Sequence, residues 1–167
     1  MIYIKTINFE AVQRGFEETP KLFERAFKRG FDVAGVKQVA YIRDRMMNDP
    51  KSGKIYTKYR GVGGRVLKKP TKYQASAPGE FPSVVSKELY KSVFYEVRGA
   101  NQLAIGMGSP KAPYAKIIEE GGKNGKGHYI APREPLKQTV KVFSPIVRDE
   151  INKQIKRALA KKGAQLQ

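Results

Sequence analysis

Between Pro50 and Pro82 the chain places Gly53, Gly61, Gly63, Gly64, Pro70, Pro78, Gly79 and Pro82, too many breakers for a helix and too few alternations for long strands. This stretch divides the sequence into a helical part before it and a mixed part after it. It is also acid-free. Residues 50–79 hold Lys51, Lys54, Lys58, Arg60, Arg65, Lys68, Lys69 and Lys72 without one Asp or Glu, so they supply a large share of the formal charge of +18. Like charges at this density stay solvated unless phosphates or an acidic protein surface neutralise them. The stretch reads as a long loop or hairpin, with Ile55-Tyr-Thr-Lys-Tyr59 as its best strand, and loops of this length are functional or disordered.

On either side the periodicity is clearer. Thr19-Pro20 supplies a capping residue and a proline for the first helical position. Leu22, Phe23, Ala26, Phe27, Gly30, Val33 and Ala34 then share a face, with Arg25, Lys28, Arg29 and Asp32 opposite. Beyond Gly35 the stripe smears through Val36, Val39, Ile42, Met46 and Met47. A bend at Gly35, or a second face covered by a partner, accounts for the smear. Ile2, Tyr3, Ile4 and Ile7 predict a strand or extended arm before this helix.

After the basic stretch, Ser86–Lys91 predicts a short helix with a serine cap. Ser92–Val97 and Gln102–Met107 predict an antiparallel hairpin about Arg98-Gly-Ala-Asn101. Pro113–Glu120 predicts a helix stopped by Gly121-Gly122, the tract Gly121–Gly127 is flexible, and His128-Tyr-Ile130 suggests one more strand. Leu136, Val140, Phe143, Val147, Ile151, Ile155 and Leu159 mark a C-terminal helix that Pro145 is expected to kink or divide, with frayed residues at its end.

The expectation is therefore one α+β domain over 1–167. It consists of an arm or strand (1–18), a long helix (19–49), the basic loop or hairpin arm (50–83), an antiparallel sheet with a short helix (84–134) and a C-terminal helix (135–161). The 167 residues, 40% of them hydrophobic, suffice for one core.

Catalytic patterns are missing. Gly121-Gly-Lys-Asn-Gly-Lys-Gly127 lacks the phosphate-loop spacing, and Gly61-Val-Gly63-Gly64 does not complete a dinucleotide fingerprint. The single His128 has no cysteine or second histidine with which to hold zinc. Glu119 and Glu120 are adjacent and point to different helix faces, unlike an acid–base pair, and no Gly-x-Ser-x-Gly frames a serine. With no cysteine there is no disulfide framework, and no apolar run spans a bilayer. The expectation is a soluble non-enzyme without cofactor or metal.

Three segments in order carry a resemblance. Lys51-Ser-Gly-Lys54 leads to Tyr56 and Arg60. Ala75-Ser-Ala-Pro-Gly-Glu-Phe-Pro82 is followed by Ser86-Lys-Glu-Leu-Tyr-Lys-Ser92. Ala112-Pro-Tyr-Ala115 is followed by Ile118-Glu-Glu-Gly121. Together they resemble the head-tail joining, neck and tail-completion proteins of tailed bacteriophages, over roughly residues 20 to 160. Lys87 stands where that pattern usually has glycine, and Ala131-Pro-Arg-Glu-Pro135 approximates its closing stop.

The resemblance implies an α+β protein of the virion neck or tail, made in the bacterial host cytoplasm. It implies self-assembly as a ring of roughly six or twelve copies. The ring would contact adaptor or stopper proteins and tail-tube or tail-terminator proteins. Ala77, Pro78, Gly79, Glu80, Phe81, Pro82 and Tyr114 are the expected interface, with Phe81 displayed by its proline frame as an anchor. The basic arm is expected to face genomic double-stranded DNA or an acidic neighbour. Without the resemblance, the runner-up is a nucleic-acid-binding module in which Tyr56, Tyr59 and Tyr73 stack on bases beside the same cations.

Overall fold

The structure, a computed structural model, describes residues 3–8, 20–60, 65–85, 87–99, 101–125 and 127–164, with side chains from 21 to 160 apart from Arg60. The elements in chain order are β1 (Tyr3–Asn8), α1 (Pro20–Asn48), β2 (Ile55–Arg60), β3 (Val66–Gln74), α2 (Glu88–Lys91), β4 (Val93–Arg98), β5 (Gln102–Met107), α3 (Ala115–Glu120), β6 (Gly122–Lys123), β7 (Tyr129–Ile130) and α4 (Pro135–Ala164). Three small sheets form, in the orders β1-β5-β4, β2-β3 and β6-β7. The fold is α+β. Among the described residues no helix is long and apolar enough to cross a membrane.

The chain forms two compact units. One comprises residues 4–41, 94–106 and 138–167, and the other residues 1–3, 42–93 and 107–137. The first is a helix pair with strands. Phe23, Ala26, Phe27, Phe31 and Ala34 of α1 share a core with Phe143, Val147, Ile151 and Ile155 of α4 and Leu103 of β5. These residues recur every three or four positions, so each helix presents one continuous apolar stripe. At Gly30 a Cβ would stand 2.9 Å from the Ile151 Cα, so only glycine lets the two helices approach this closely. β5 lies between β1 and β4 and is buried from Leu103 onward, which explains its unbroken apolar run.

α1 runs without interruption through Gly35. Gly35 is there for packing: a Cβ would stand 2.3 Å from the Tyr95 ring. Gln38 occupies a fully buried position of the stripe, where its side-chain amide has no hydrogen-bond partner among the described residues, while Val36 and Met47 lie outside the stripe at 55% and 52% exposure. Pro145 likewise does not divide α4, which is a single helix from Pro135 to Ala164. Pro145 and Lys141, four residues before it, are both exposed, so the carbonyl that proline leaves unpaired falls on the solvent side of the helix. The Ser144 hydroxyl donates back to the Val140 carbonyl at 2.7 Å.

The second unit buries Ile42, Met46, Phe81, Leu89, Val93, Met107, Ala112, Ala115 and Leu136. Arg43 holds its short helix in place by donating to the carbonyls of Tyr90 (3.2 Å), Lys91 (3.4 Å) and Val93 (3.0 Å). The expected serine cap, Ser86, lies outside the described residues, as does Thr19. The position before α2 is Lys87, left-handed at φ 63° with no side-chain cap bond. Glycine adopts that conformation without steric cost, and a lysine does not. The start of the tract after α3 pairs as one strand of a small hairpin. Gly121, at φ 78°, ends α3, and Gly122–Lys123 then pair with Tyr129–Ile130.

Glu119 has a role that local sequence does not announce. It is 2% exposed, and its carboxylate accepts the Leu136 amide at 2.9 Å and the Lys137 amide at 3.0 Å. These are among the first N–H groups of α4, which have no partner inside the helix. A buried carboxylate there both satisfies them and complements the positive end of the helix dipole.

Candidate functional site

The basic stretch is a two-stranded antiparallel ribbon. Ile55 pairs with Gln74, Tyr56 with Tyr73, Thr57 with Lys72, Lys58 with Thr71 and Arg60 with Val66. The register shifts between Lys58 and Arg60, leaving residues 67–70 as an excursion of β3. Pro70 lies in that excursion, where the missing N–H breaks no ladder bond. Gly61, Gly63 and Gly64 lie outside the described residues. Among the described residues no third strand pairs with the ribbon, and Ile55 (61%), Tyr59 (64%) and Val66 (72%) are exposed on it.

The root of the ribbon is a hydrogen-bonded knot. The Gly53 amide donates to the Ala75 carbonyl at 3.0 Å, and the Ala75 amide returns a 3.0 Å bond to the Lys54 carbonyl. A Cβ on Gly53 would meet that Ala75 oxygen at 2.5 Å, so glycine is required for the approach. Glu80 closes the loop. Its carboxylate accepts the Ser52 amide at 3.1 Å, the Ser52 hydroxyl, and the Ala77 amide at 2.8 Å. The Ser52 hydroxyl bond, followed by the Ala77 and Ser52 amides, holds the Glu80 pKa below the usual carboxylate value. Ala77–Glu80 makes a turn, with the Glu80 amide donating to the Ala77 carbonyl, proline second and Gly79 third at φ 78°, the pattern of a type II turn.

Arg133 fastens the other side. It donates to the Ser76 hydroxyl (2.9 Å), the Ser76 carbonyl (2.8 Å) and the Ala131 carbonyl (2.6 Å). Its own amide donates to the Ile118 carbonyl at 2.9 Å, and the Gly79 amide donates to the Pro132 carbonyl at 3.2 Å. Burial pushes the Arg133 pKa down, and Glu80 and Tyr56 oppose that shift.

The expected display of Phe81 is incorrect. Phe81 is 2% exposed, with the Arg45 guanidinium 5.3 Å from its ring centroid. The turn and the Glu80 clasp direct the ring inward, and leaving so large an apolar surface in water would forfeit its burial free energy. The other expected interface residues divide. Pro78 and Gly79 are exposed, Ala77 and Glu80 are half-buried, Pro82 is buried and Tyr114 is 37% exposed.

Pro78, Pro82 and Tyr114 line one groove of about 710 Å³ within this unit, together with Tyr56, Tyr73, Tyr90, Tyr129, Ile118, His128 and Arg133. Tyr56 and Tyr73 stack at 5.6 Å with 21° between their planes. Five tyrosines thus converge from positions with no common spacing, and sequence reasoning did not assemble them. Among the described residues no carboxylate lines the groove. Among the described residues no group of three or more His, Asp or Glu is placed to hold a metal.

The eight cations are not equivalent. Lys51 donates to the Arg45 carbonyl at 3.1 Å near the end of α1, where burial lowers its pKa. Lys58 donates to the Val85 carbonyl at 3.3 Å, and Lys54 sits 5.8 Å from the Tyr56 ring centroid. The Arg60 side chain lies outside the described ones. Arg65, Lys68, Lys69 and Lys72 are exposed.

Comparison with protein-family descriptions, curated proteins and solved structures finds no match for this chain.

Proposed function

We propose that the chain is a structural protein of a tailed-bacteriophage virion, assembled as a ring where head meets tail. The observation that carries this reading is the knot. The separate segments of the phage-like pattern are those tied together at the ribbon root: Ser52 and Gly53, Ala75–Glu80, Ile118, and Pro132–Arg133. A pattern whose parts bond to one another is explained as one structural device. A chance scatter of turn residues would not predict those bonds. The left-handed Lys87 adds support, since it occupies the position where the pattern has glycine.

The surface is suited to assembly. Val33, Val36 and Ala40 form an exposed apolar row at helical spacing on α1. The ribbon has unpaired strand edges, and a lone two-stranded ribbon is marginal in water unless something covers it. Closed symmetry buries such features without growing filaments. Among the described residues, the carboxylates in the knot and at α4 are already bonded to backbone and serving structure.

Mass spectrometry of purified tailed particles from the virus that encodes this chain tests the reading. The expected result is the chain among the low-copy neck and tail proteins. Its absence from intact particles would overturn the proposal.

A further inference from the structure

We propose that the unengaged cations of the ribbon, Arg65, Lys68, Lys69 and Lys72, grip the phosphates of double-stranded DNA without regard to base sequence. Three other cations are already engaged, Lys51 and Lys58 by carbonyls and Lys54 by a tyrosine ring. The side chains of the four are exposed and have no ionic or hydrogen-bonding partner among the described residues. The stretch from 50 to 79 contains no acid, and Glu80 beyond it is occupied by Ser52 and Ala77. No acid of the stretch offsets their mutual repulsion, which water and salt screen and a polyanion relieves further.

Two kinds of polyanion fit charge alone, and composition favours DNA. Protein–protein interfaces are depleted in lysine and enriched in arginine and aromatic anchors. Here three of the four unengaged cations are lysines, strongly hydrated point charges on flexible stems, which suit phosphates gripped without fixed geometry. The shape agrees. A two-stranded ribbon is narrow enough to enter the major groove of B-DNA, about 12 Å wide. At ~3.3 Å per strand residue, the cations from 65 to 72 extend over no more than ~23 Å, beside a duplex that carries a charge every ~1.7 Å of its axis. In the ring read above the duplex is the genome in the channel. The inference depends on that reading only for where the DNA is met, since binding itself is measured without a particle.

The test is fluorescence anisotropy of the full chain with labelled duplexes of about 30 base pairs, in two unrelated sequences, titrated across salt. One variant carries R65Q, K68Q, K69Q and K72Q, and a second carries K51Q, K54Q and K58Q. Each neutralised phosphate contributes roughly 0.9 to the slope of log affinity against log salt, so the first variant is expected to lose about 3 to 4 from that slope on both duplexes. The second variant keeps the wild-type slope. A K68R, K69R, K72R variant, which preserves charge, retains binding and controls for folding.

An unchanged slope in the first variant, or an equal loss in the second, overturns the proposal. So does a first variant that loses binding to polyglutamate while holding DNA as before, which makes the ribbon a dock for acidic protein. A chain that is absent from virions yet shows the expected slopes sinks the ring reading and leaves this one standing.

Discussion

Replacing Phe81 by alanine removes a ring that is 2% exposed and lies under the Arg45 guanidinium at 5.3 Å. Truncating a buried phenylalanine costs about 3–5 kcal/mol through lost transfer energy and the cavity left behind. Loss of the ring face beneath Arg45 adds about 0.5–1 kcal/mol. A total near 4 kcal/mol is a large part of the ~5–15 kcal/mol that holds a typical domain folded. With a urea slope of about 2 kcal/mol per molar, the midpoint should fall by roughly 2 M, monitored by circular dichroism. Phe81→Leu, which retains most of the volume, should lose less than half as much. The reasoning fails if Phe81→Ala unfolds within about 0.3 M of wild type while particle joining is lost. That outcome is expected of an exposed anchor and not of a core residue.

Two further perturbations test the root of the ribbon and its neighbourhood. Lys87→Gly relieves a left-handed backbone at φ 63°; it should stabilise the protein by about 0.5–1 kcal/mol, raising Tm by roughly 2–4 °C, and a lower Tm would contradict the assigned conformation. The Glu80 pKa is depressed in the folded chain by Ser52 and Ala77, so its contribution is complete above the ordinary carboxylate value and is lost as pH falls through the lower folded one. Glu80→Gln should therefore flatten the acid limb of the stability profile, and an acid limb identical to wild type would show that the clasp does not form.

The legible parts of this fold are those where burial imposes a period. Phe23, Phe27, Phe31 and Ala34 specify α1, as Phe143, Val147 and Ile151 specify α4, because each helix covers one core face. β4 and β5 are legible from their apolar, β-prone residues and the turn between them. β3 was not, because a ribbon exposed on both faces is under no pressure to alternate, and Lys68-Lys69-Pro70 falls in its excursion. The capping role of Glu119 is not legible for another reason: it caps a helix that begins well after it in the chain, and no local pattern encodes that distance.

The candidate site was half visible. The charge of the ribbon is plain in composition, but the division into engaged and free cations depends on the carbonyls of Arg45 and Val85, which spacing does not reveal. Phe81 was assigned to the surface because Pro78 and Pro82 suggested display. The bonds from Glu80 to Ser52 and from Arg133 to Ser76, which turn the segment inward, join residues 28 and 57 positions apart. The five groove tyrosines lie on different elements and share no spacing.

The central claim is closed assembly at the junction of head and tail. Native mass spectrometry of the purified chain, alone and mixed with the adaptor and tail-tube proteins of the same virus, measures it most directly. The account predicts a single closed species of roughly six or twelve copies, formed alone or on the partner's template. A chain that stays monomeric with every partner, or that grows into an open series of sizes, would contradict it.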